Sequence, residues 1–516
     1  MKYLRELFLT APDFVQMLKK FRRFRLNLLN FSKRSKPDLS FAQNLVQYTI
    51  KCLLLFAGVI PALFLNAQEV YNPDARFAPA ALRQDLDVLA EALKDVHPDL
   101  YRYVSEEDFD AEVNRIKAEL TDSLTELQFH LKVRALIAGI KCGHTVAKPS
   151  DAWYRYFREE KKALPFDVLI ADGKLLVNQV FSDSLPFRKG DEILSVAGVD
   201  SGELLSQMMQ MQQRDGYHLT FIYNSIESYF RTYFAFLFGS VGQVEVGYLG
   251  ADSLPGKAVV PCPPPQAAPA KPLVDSPERF SDILEGNGVY LGFPKSGDSL
   301  ALLRILKFHS RGYVGFYKKA FREMEARDVQ TLLIDLRNCG GGYFLNGNRL
   351  LRYLKDERFF MHFFRPRGRV DRSRFLKSEF WVTMTRFSFE LMPDLQKNGQ
   401  RDYKLHYKPI RRHHFDGKIV VLIDGGSFSM SANVAAMLAL EPNTTLIGEE
   451  SGGAAEGANA ILWRKLVLPH TGVSVSIPEY HLSNQYPNGP FGRGLIPGRE
   501  LKRSPEDVLN GRDPVL

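Results

Sequence analysis

Two strand-to-helix junctions, each turning on a run of glycines, constrain this chain more than any other feature. The first is Leu332-Leu-Ile-Asp-Leu-Arg-Asn-Cys-Gly-Gly-Gly342 and the second is Ile419-Val-Val-Leu-Ile-Asp-Gly-Gly-Ser-Phe-Ser-Met-Ser-Ala-Asn433. In both, a run of apolar residues suited to a fully buried strand stops in glycines and enters a helical pattern. Around them the chain keeps alternating: strand Val289–Phe293, helix Val314–Ala326, strand Thr331–Leu336, helix Gly347–Leu354, strand Lys418–Asp424, helix Ser431–Leu440, strand Thr445–Gly448. Strands alternating with helices predict an α/β domain, a mostly parallel sheet covered on both faces, over residues 285–516.

Upstream, the spacing changes twice. Residues 68–160 read as a helical cap, with apolar residues three and four apart at Leu82, Leu86, Leu89 and Leu93, at Val113, Ile116 and Leu120, and from Leu127 to Ile137. Residues 161–260 read as a small strand-rich module, with short apolar runs at Phe166–Ile170 and Lys174–Val180 separated by turns. The stretch from Pro261 to Pro272 is too rich in proline to form a packed element, and residues 261–284 are read as a linker.

The formal charge of +8 suggests nucleic acid until it is divided along the chain. Residues 1–67 hold eleven Lys and Arg against Glu6, Asp13 and Asp38, and the rest carries 56 basic and 56 acidic residues. The main body therefore has no basic footprint, and nucleic acid is excluded as a partner. Cys52-Leu-Leu-Leu-Phe-Ala-Gly-Val-Ile-Pro-Ala-Leu-Phe-Leu-Asn-Ala67 is uncharged and apolar, follows a basic segment and ends in small residues. It reads as a secretory signal cleaved after Ala67, or as an uncleaved membrane anchor; either way the body is exported to the periplasm or cell envelope. Without Cys52, the widely spaced Cys142, Cys262 and Cys339 give neither a disulfide framework nor a metal-site spacing, and no metal or cofactor is expected.

Three features carry chemistry. Glycines after a strand let backbone N–H groups point at a developing oxyanion, and no Walker lysine follows Gly342 to favour a nucleotide. Ser427, Ser429 and Ser431 stand at a helix N-terminus, where they serve either as caps or as a nucleophile beside free N–H groups. Cys142-Gly-His144-Thr ends a predicted helix, and a lone histidine there is either packed or catalytic.

In order and context these segments resemble the C-terminal processing (tail-specific) peptidases. Asp335-Leu-Arg-Asn-Cys-Gly-Gly-Gly342 is similar to the family's Asp-Leu-Arg-Asn-x-x-Gly-Gly element, and Ser427-Phe-Ser-Met-Ser431 to its nucleophile turn. Ile447-Gly-Glu-Glu-Ser-Gly-Gly453, Gly492-Arg-Gly-Leu-Ile-Pro497 and the C-terminal tail fit the segments that follow. Gly190-Asp-Glu-Ile-Leu-Ser-Val-Ala-Gly198 resembles the core of a PDZ module, although the upstream carboxylate-binding loop is not evident. The resemblance implies a crotonase-type α/β catalytic domain behind a helical cap and a PDZ-like module. It also implies Ser429 as nucleophile, the N–H groups of Gly341 and Met430 as oxyanion donors, and polypeptides as substrates.

Many members of that family pair the serine with a lysine about 25 residues downstream, where this chain has Ala454. A neutral imidazole takes a hydroxyl proton near pH 7, so His144 is the base expected here, as in the histidine-using, tricorn-like branch. The acid orienting it is sought among Glu449, Glu450, Glu456 and Glu479, with Glu450 preferred. Asp335 and Arg337 are expected to close the strand end rather than to react. The alternatives are a peptide-binding protein that keeps this fold without turnover, and a hydrolase of non-peptide acyl substrates. If the apolar run is a cleaved signal, sequencing the envelope-derived protein will return Gln68 as its first residue. Full-length chain in the membrane fraction would instead identify an anchor, and a cytosolic chain would defeat both readings.

Overall fold

The structure is a computed structural model that describes residues 71–516, apart from 160–161, 251–252, 265–279, 298, 367–374, 378–382, 384, 387–399, 487–488, 503, 511 and 514–516. The apolar run read as a signal or anchor and most of the segment read as a linker lie outside the described residues. Among those described, no helix is long and apolar enough to cross a membrane.

The α/β reading holds. Strands β1 (Phe280–Gly286), β2 (Val289–Pro294), β3 (Leu300–Ile305), β4 (Thr331–Asp335), β5 (Lys418–Ile423), β6 (Thr444–Gly448) and β7 (Arg499–Glu500) form one sheet in sequential order. The ladders joining β1, β2 and β3 are antiparallel, and those from β3 to β7 are parallel. The parallel strands are the near-continuous apolar runs that a sheet buried on both faces requires. Helices α1 (Tyr313–Ala326), α2 (Phe344–Leu354) and α3 (Met430–Leu438) contribute Tyr317, Phe321, Leu350, Leu351 and Val434 to the same core. The linker reading ends too late: residues 280–284 already belong to β1.

A second, antiparallel sheet in this half of the chain escapes the helix–strand alternation. It runs in the order Leu376–Lys377, Gly457–Val467, Ser474–Ser483, Phe359–Pro366, Gln400–Tyr407. Val146–Lys148, from the cap, pairs with Ser474–Ser476 and so joins the cap to this sheet. The helices of the cap, Pro79–Val96, Glu106–Glu119 and Glu126–Ile140, share one apolar core with Leu466, Val473, Val475 and Ile477. The strand-rich module keeps its own antiparallel sheet, from Phe166–Ala171 to Pro255–Pro261, against the helix Ser201–Gln210 and the aromatic helix Thr220–Phe238.

Polar contacts fix the cap on the second sheet. Asp85 is fully buried, and its carboxylate accepts the N–H groups of His470 (3.0 Å) and Thr471 (2.9 Å) and the Thr471 hydroxyl (2.7 Å). Each buried donor left without an acceptor costs about 1–3 kcal/mol. Asp85→Ala is therefore expected to lower unfolding stability by on the order of 3 kcal/mol, read as a fall in the urea midpoint. Asp85→Asn, which retains an acceptor, is expected to lose less; equal midpoints for Ala and wild type would remove this role.

Candidate active site

Parallel pairing sets Asp335 of β4 beside Leu422 of β5, so the turns leaving both strands emerge at the same end of the sheet. Beneath the first turn, the Arg337 guanidinium bonds both carboxylate oxygens of Asp335 (2.9 and 2.8 Å) and both of Asp513 (3.1 and 2.8 Å). Asp335 and Arg337 are thus a closed structural pair, as the sequence led one to expect. The Asp424 carboxylate at the end of β5 accepts the N–H groups of Asn338 and Gly426, both at 2.9 Å, and so ties the second turn to the first.

The three serines separate cleanly. Ser427 is fully buried; its hydroxyl donates to Leu336 O (2.8 Å) and accepts the Asp424 N–H (3.0 Å). Ser431 is equally buried and donates to the carbonyls of Cys339 and Phe428. Neither reaches forward as a helix cap; both lock the turn. Ser429 is partly exposed, immediately precedes α3, makes no capping bond, and has φ 57° and ψ −121°. Positive φ is costly for a residue with a Cβ and persists only where the surroundings impose it.

Those surroundings are the glycine turn. Phe428 N–H donates to Cys339 O (3.1 Å), and Gly341 has φ +87°. A Cβ on Gly341 would lie 2.6 Å from Met430 N, 2.6 Å from Phe428 O and 2.8 Å from the Ser429 Cβ. Only glycine permits this approach, which brings the backbones of Gly341 and Met430 together at Ser429. Met430 is the first residue of α3, where N–H groups have no partner within the helix.

His144 arrives from the cap. A capping box of Thr125 and Gln128 starts the helix Glu126–Ile140, and Lys141, in the left-handed conformation, ends it. The chain then passes through Cys142-Gly-His144-Thr into the strand Val146–Lys148. The imidazole is buried and stacks on Phe428, the neighbour of Ser429, with ring centres 4.6 Å apart and planes at 25°. Trp463 covers it at 6.2 Å, and its indole N–H donates to His144 O (3.3 Å). A bulge positions that ring: Ile461 (φ 66°) and Leu462 (φ 52°) interrupt the ladder just before Trp463.

The acid beside His144 is not a glutamate. Asp215, on the turn between the two helices of the strand-rich module, places Oδ2 3.9 Å from His144 Nδ1, and its Oδ1 accepts the Gly143 N–H (2.7 Å). Burial pushes the imidazole down to about 4 and the Asp215 carboxyl up to about 7. The preferred Glu450 is engaged elsewhere, with Arg493 (2.8 and 2.6 Å) and the Gly494 N–H (2.8 Å). Glu456 accepts from the Tyr103 hydroxyl (2.8 Å) and Gly492 N–H (3.0 Å), Glu479 pairs with Arg464 (2.7 Å), and Glu449 follows β6 with its N–H on Ile423 O (2.9 Å). Ala454, where a lysine was sought, is buried and its N–H bonds Asp215. In the sequence, Asp215-Gly216 looks like any turn-forming pair, and nothing marks it as a neighbour of His144.

Comparison with known proteins bears on the fold. Residues 299–484 match the family described as "Peptidase family S41". No curated protein matches the chain by sequence. Among solved structures, mature CPAF superposes with a TM-score of 0.58 at 14% identity, covering 84% of this chain and 94% of that one. Mature CPAF complexed with lactacystin gives 0.59 at 14% identity, covering 84% and 96%. At such identity the likeness speaks for the fold alone, and the family match likens residues 299–484 to the serine peptidases of family S41.

Proposed function

We propose that the protein is an endopeptidase of exported polypeptides in which Ser429 is the nucleophile and His144 the general base. The carrying observation is the state of Ser429: the one partly exposed serine of its turn, held at positive φ against Gly341 without a cap to make. In this reading the Ser429 hydroxyl proton passes to the imidazole as Oγ attacks the scissile carbonyl. The N–H groups of Gly341 and Met430 receive the oxyanion. The imidazolium returns the proton to the leaving amine, and water then releases the acyl group by the same exchange. Burial of His144 supports its role, because it keeps the imidazole neutral and able to accept a proton. The tricorn-like use of histidine fits the alanine at position 454, and export rests on the apolar run 52–67.

Ser429→Ala is expected to abolish peptide hydrolysis and labelling by a fluorophosphonate while leaving the melting temperature unchanged. Ser427→Ala and Ser431→Ala remove buried hydrogen bonds and are expected to cost about 1–3 kcal/mol of stability each while the folded protein still labels. Labelling that survives Ser429→Ala would move the nucleophile. Gly341→Ala is expected to lower turnover by on the order of 10²–10³-fold, the usual loss when an oxyanion donor is displaced, with a smaller change in KM; unchanged turnover would remove Gly341 from the site. His144→Ala is expected to lower turnover by at least ~10²-fold, and full activity would remove it as base.

A further inference from the structure

We propose that Asp215 is the positioning residue for His144: its Oδ2 orients the imidazole through Nδ1 and stabilises the imidazolium that forms when Ser429 gives up its proton. The inference rests on the reading of Ser429 and His144 above and adds the group that this reading lacks.

The geometry argues for it in three ways. First, Asp215 Oδ2 and both nitrogens of His144 are buried and have no hydrogen-bond partner among the described residues, yet Oδ2 and Nδ1 face each other across 3.9 Å. A closure of about 1 Å converts that gap into a charge-assisted hydrogen bond, and such bonds are often long in the absence of substrate. Second, Oδ1 is held by the N–H of Gly143, the residue next to His144, so carboxylate and imidazole are fixed to the same short turn. Third, the Asp215 loop is anchored on both sides. Arg134 Nε donates to Met211 O (3.0 Å), Gly216 N–H to Lys141 O (3.0 Å) and Tyr217 N–H to Gly492 O (2.8 Å). With Nδ1 turned to Asp215, Nε2 is left to receive the Ser429 proton; no proton passes to the carboxylate in the cycle.

The pair's titration gives a readout that a packing role would not move. Asp215 faces Glu456, which raises its carboxyl, and Arg102, which lowers it; the Gly143 and Ala454 N–H groups also favour the carboxylate. The Tyr103 hydroxyl and the Cys142 thiol, both held neutral by burial, also lie close to Asp215. Below about pH 7 the carboxyl is protonated and cannot offset the imidazolium; above it the carboxylate can. Turnover is therefore expected to climb as pH rises through about 7.

The test measures kcat, KM, melting temperature and the pH profile of Asp215→Asn beside His144→Ala and Glu450→Gln, in the mature chain. Asn keeps the acceptor for Gly143 but presents an amide to Nδ1. The expected result is a kcat fall of about 10²–10⁴-fold with KM and melting temperature close to wild type, and loss of the rise through neutrality. Glu450→Gln is expected to stay within about threefold of wild type, because its carboxylate is committed to Arg493 and the Gly494 N–H. Asp215→Ser, smaller and uncharged, should repeat the kcat loss if the Asn variant folds poorly. Wild-type kcat and pH profile in Asp215→Asn, or a fall in melting temperature with normal turnover per folded molecule, overturns the inference. Inactive His144→Ala beside normal Asp215→Asn sinks only the role of Asp215, whereas a fully active His144→Ala sinks the reading it rests on.

Discussion

The site depends on how closely two backbone turns approach each other. Adjacent parallel strands deliver the glycine turn after β4 and the serine turn after β5 to one end of the sheet. Hydrogen bonds from Phe428 N–H and the Ser431 hydroxyl to Cys339 O draw the turns together until a single Cβ at position 341 would collide with the serine turn. The strained φ of Ser429 is a product of that fit. Strain of this kind costs on the order of 1–3 kcal/mol, and the buried bonds of Ser427, Ser431 and Asp424 around it are the natural offset. Below them, the Arg337 fork between Asp335 and Asp513 holds the strand end and C-terminal tail together, so that the turn rests on a fixed base.

Three parts of the chain meet on one aromatic ring. Phe428, from the serine turn, stacks on Phe221 of the strand-rich module at 4.4 Å and on His144 of the cap at 4.6 Å. Aromatic contacts of this type contribute about 0.5–1.5 kcal/mol each beyond burial, which is modest. Their effect here is directional, because planes at 25–30° to one another leave the imidazole little freedom to rotate. The same apolar packing strips the imidazole of water and keeps it neutral.

Local pattern made much of this legible. The apolar runs and their glycine stops placed β2, α1, β4, α2, β5, α3 and β6 within a few residues, and the serine-rich turn singled out the segment whose geometry is now seen. What the sequence concealed depends on distant pairing. The antiparallel sheet of Phe359–Pro366, Gly457–Val467 and Ser474–Ser483 escaped the alternation on which the sequence reading relied. The search for an acid among Glu449, Glu450, Glu456 and Glu479 looked downstream of the serine, whereas the carboxylate beside His144 comes from another module altogether. Charge type could not separate these candidates; only packing shows that Glu450 is occupied by Arg493 while Asp215 Oδ2 is not bonded.

The bond between the Trp463 indole and the His144 carbonyl spans 319 residues of chain, and Val146–Lys148 finds its strand partner at a comparable distance. Contacts so remote in sequence form late, because the long loop between them must close before they repay its entropy. A chain made in N-to-C order therefore carries His144 long before the surface that packs against it exists.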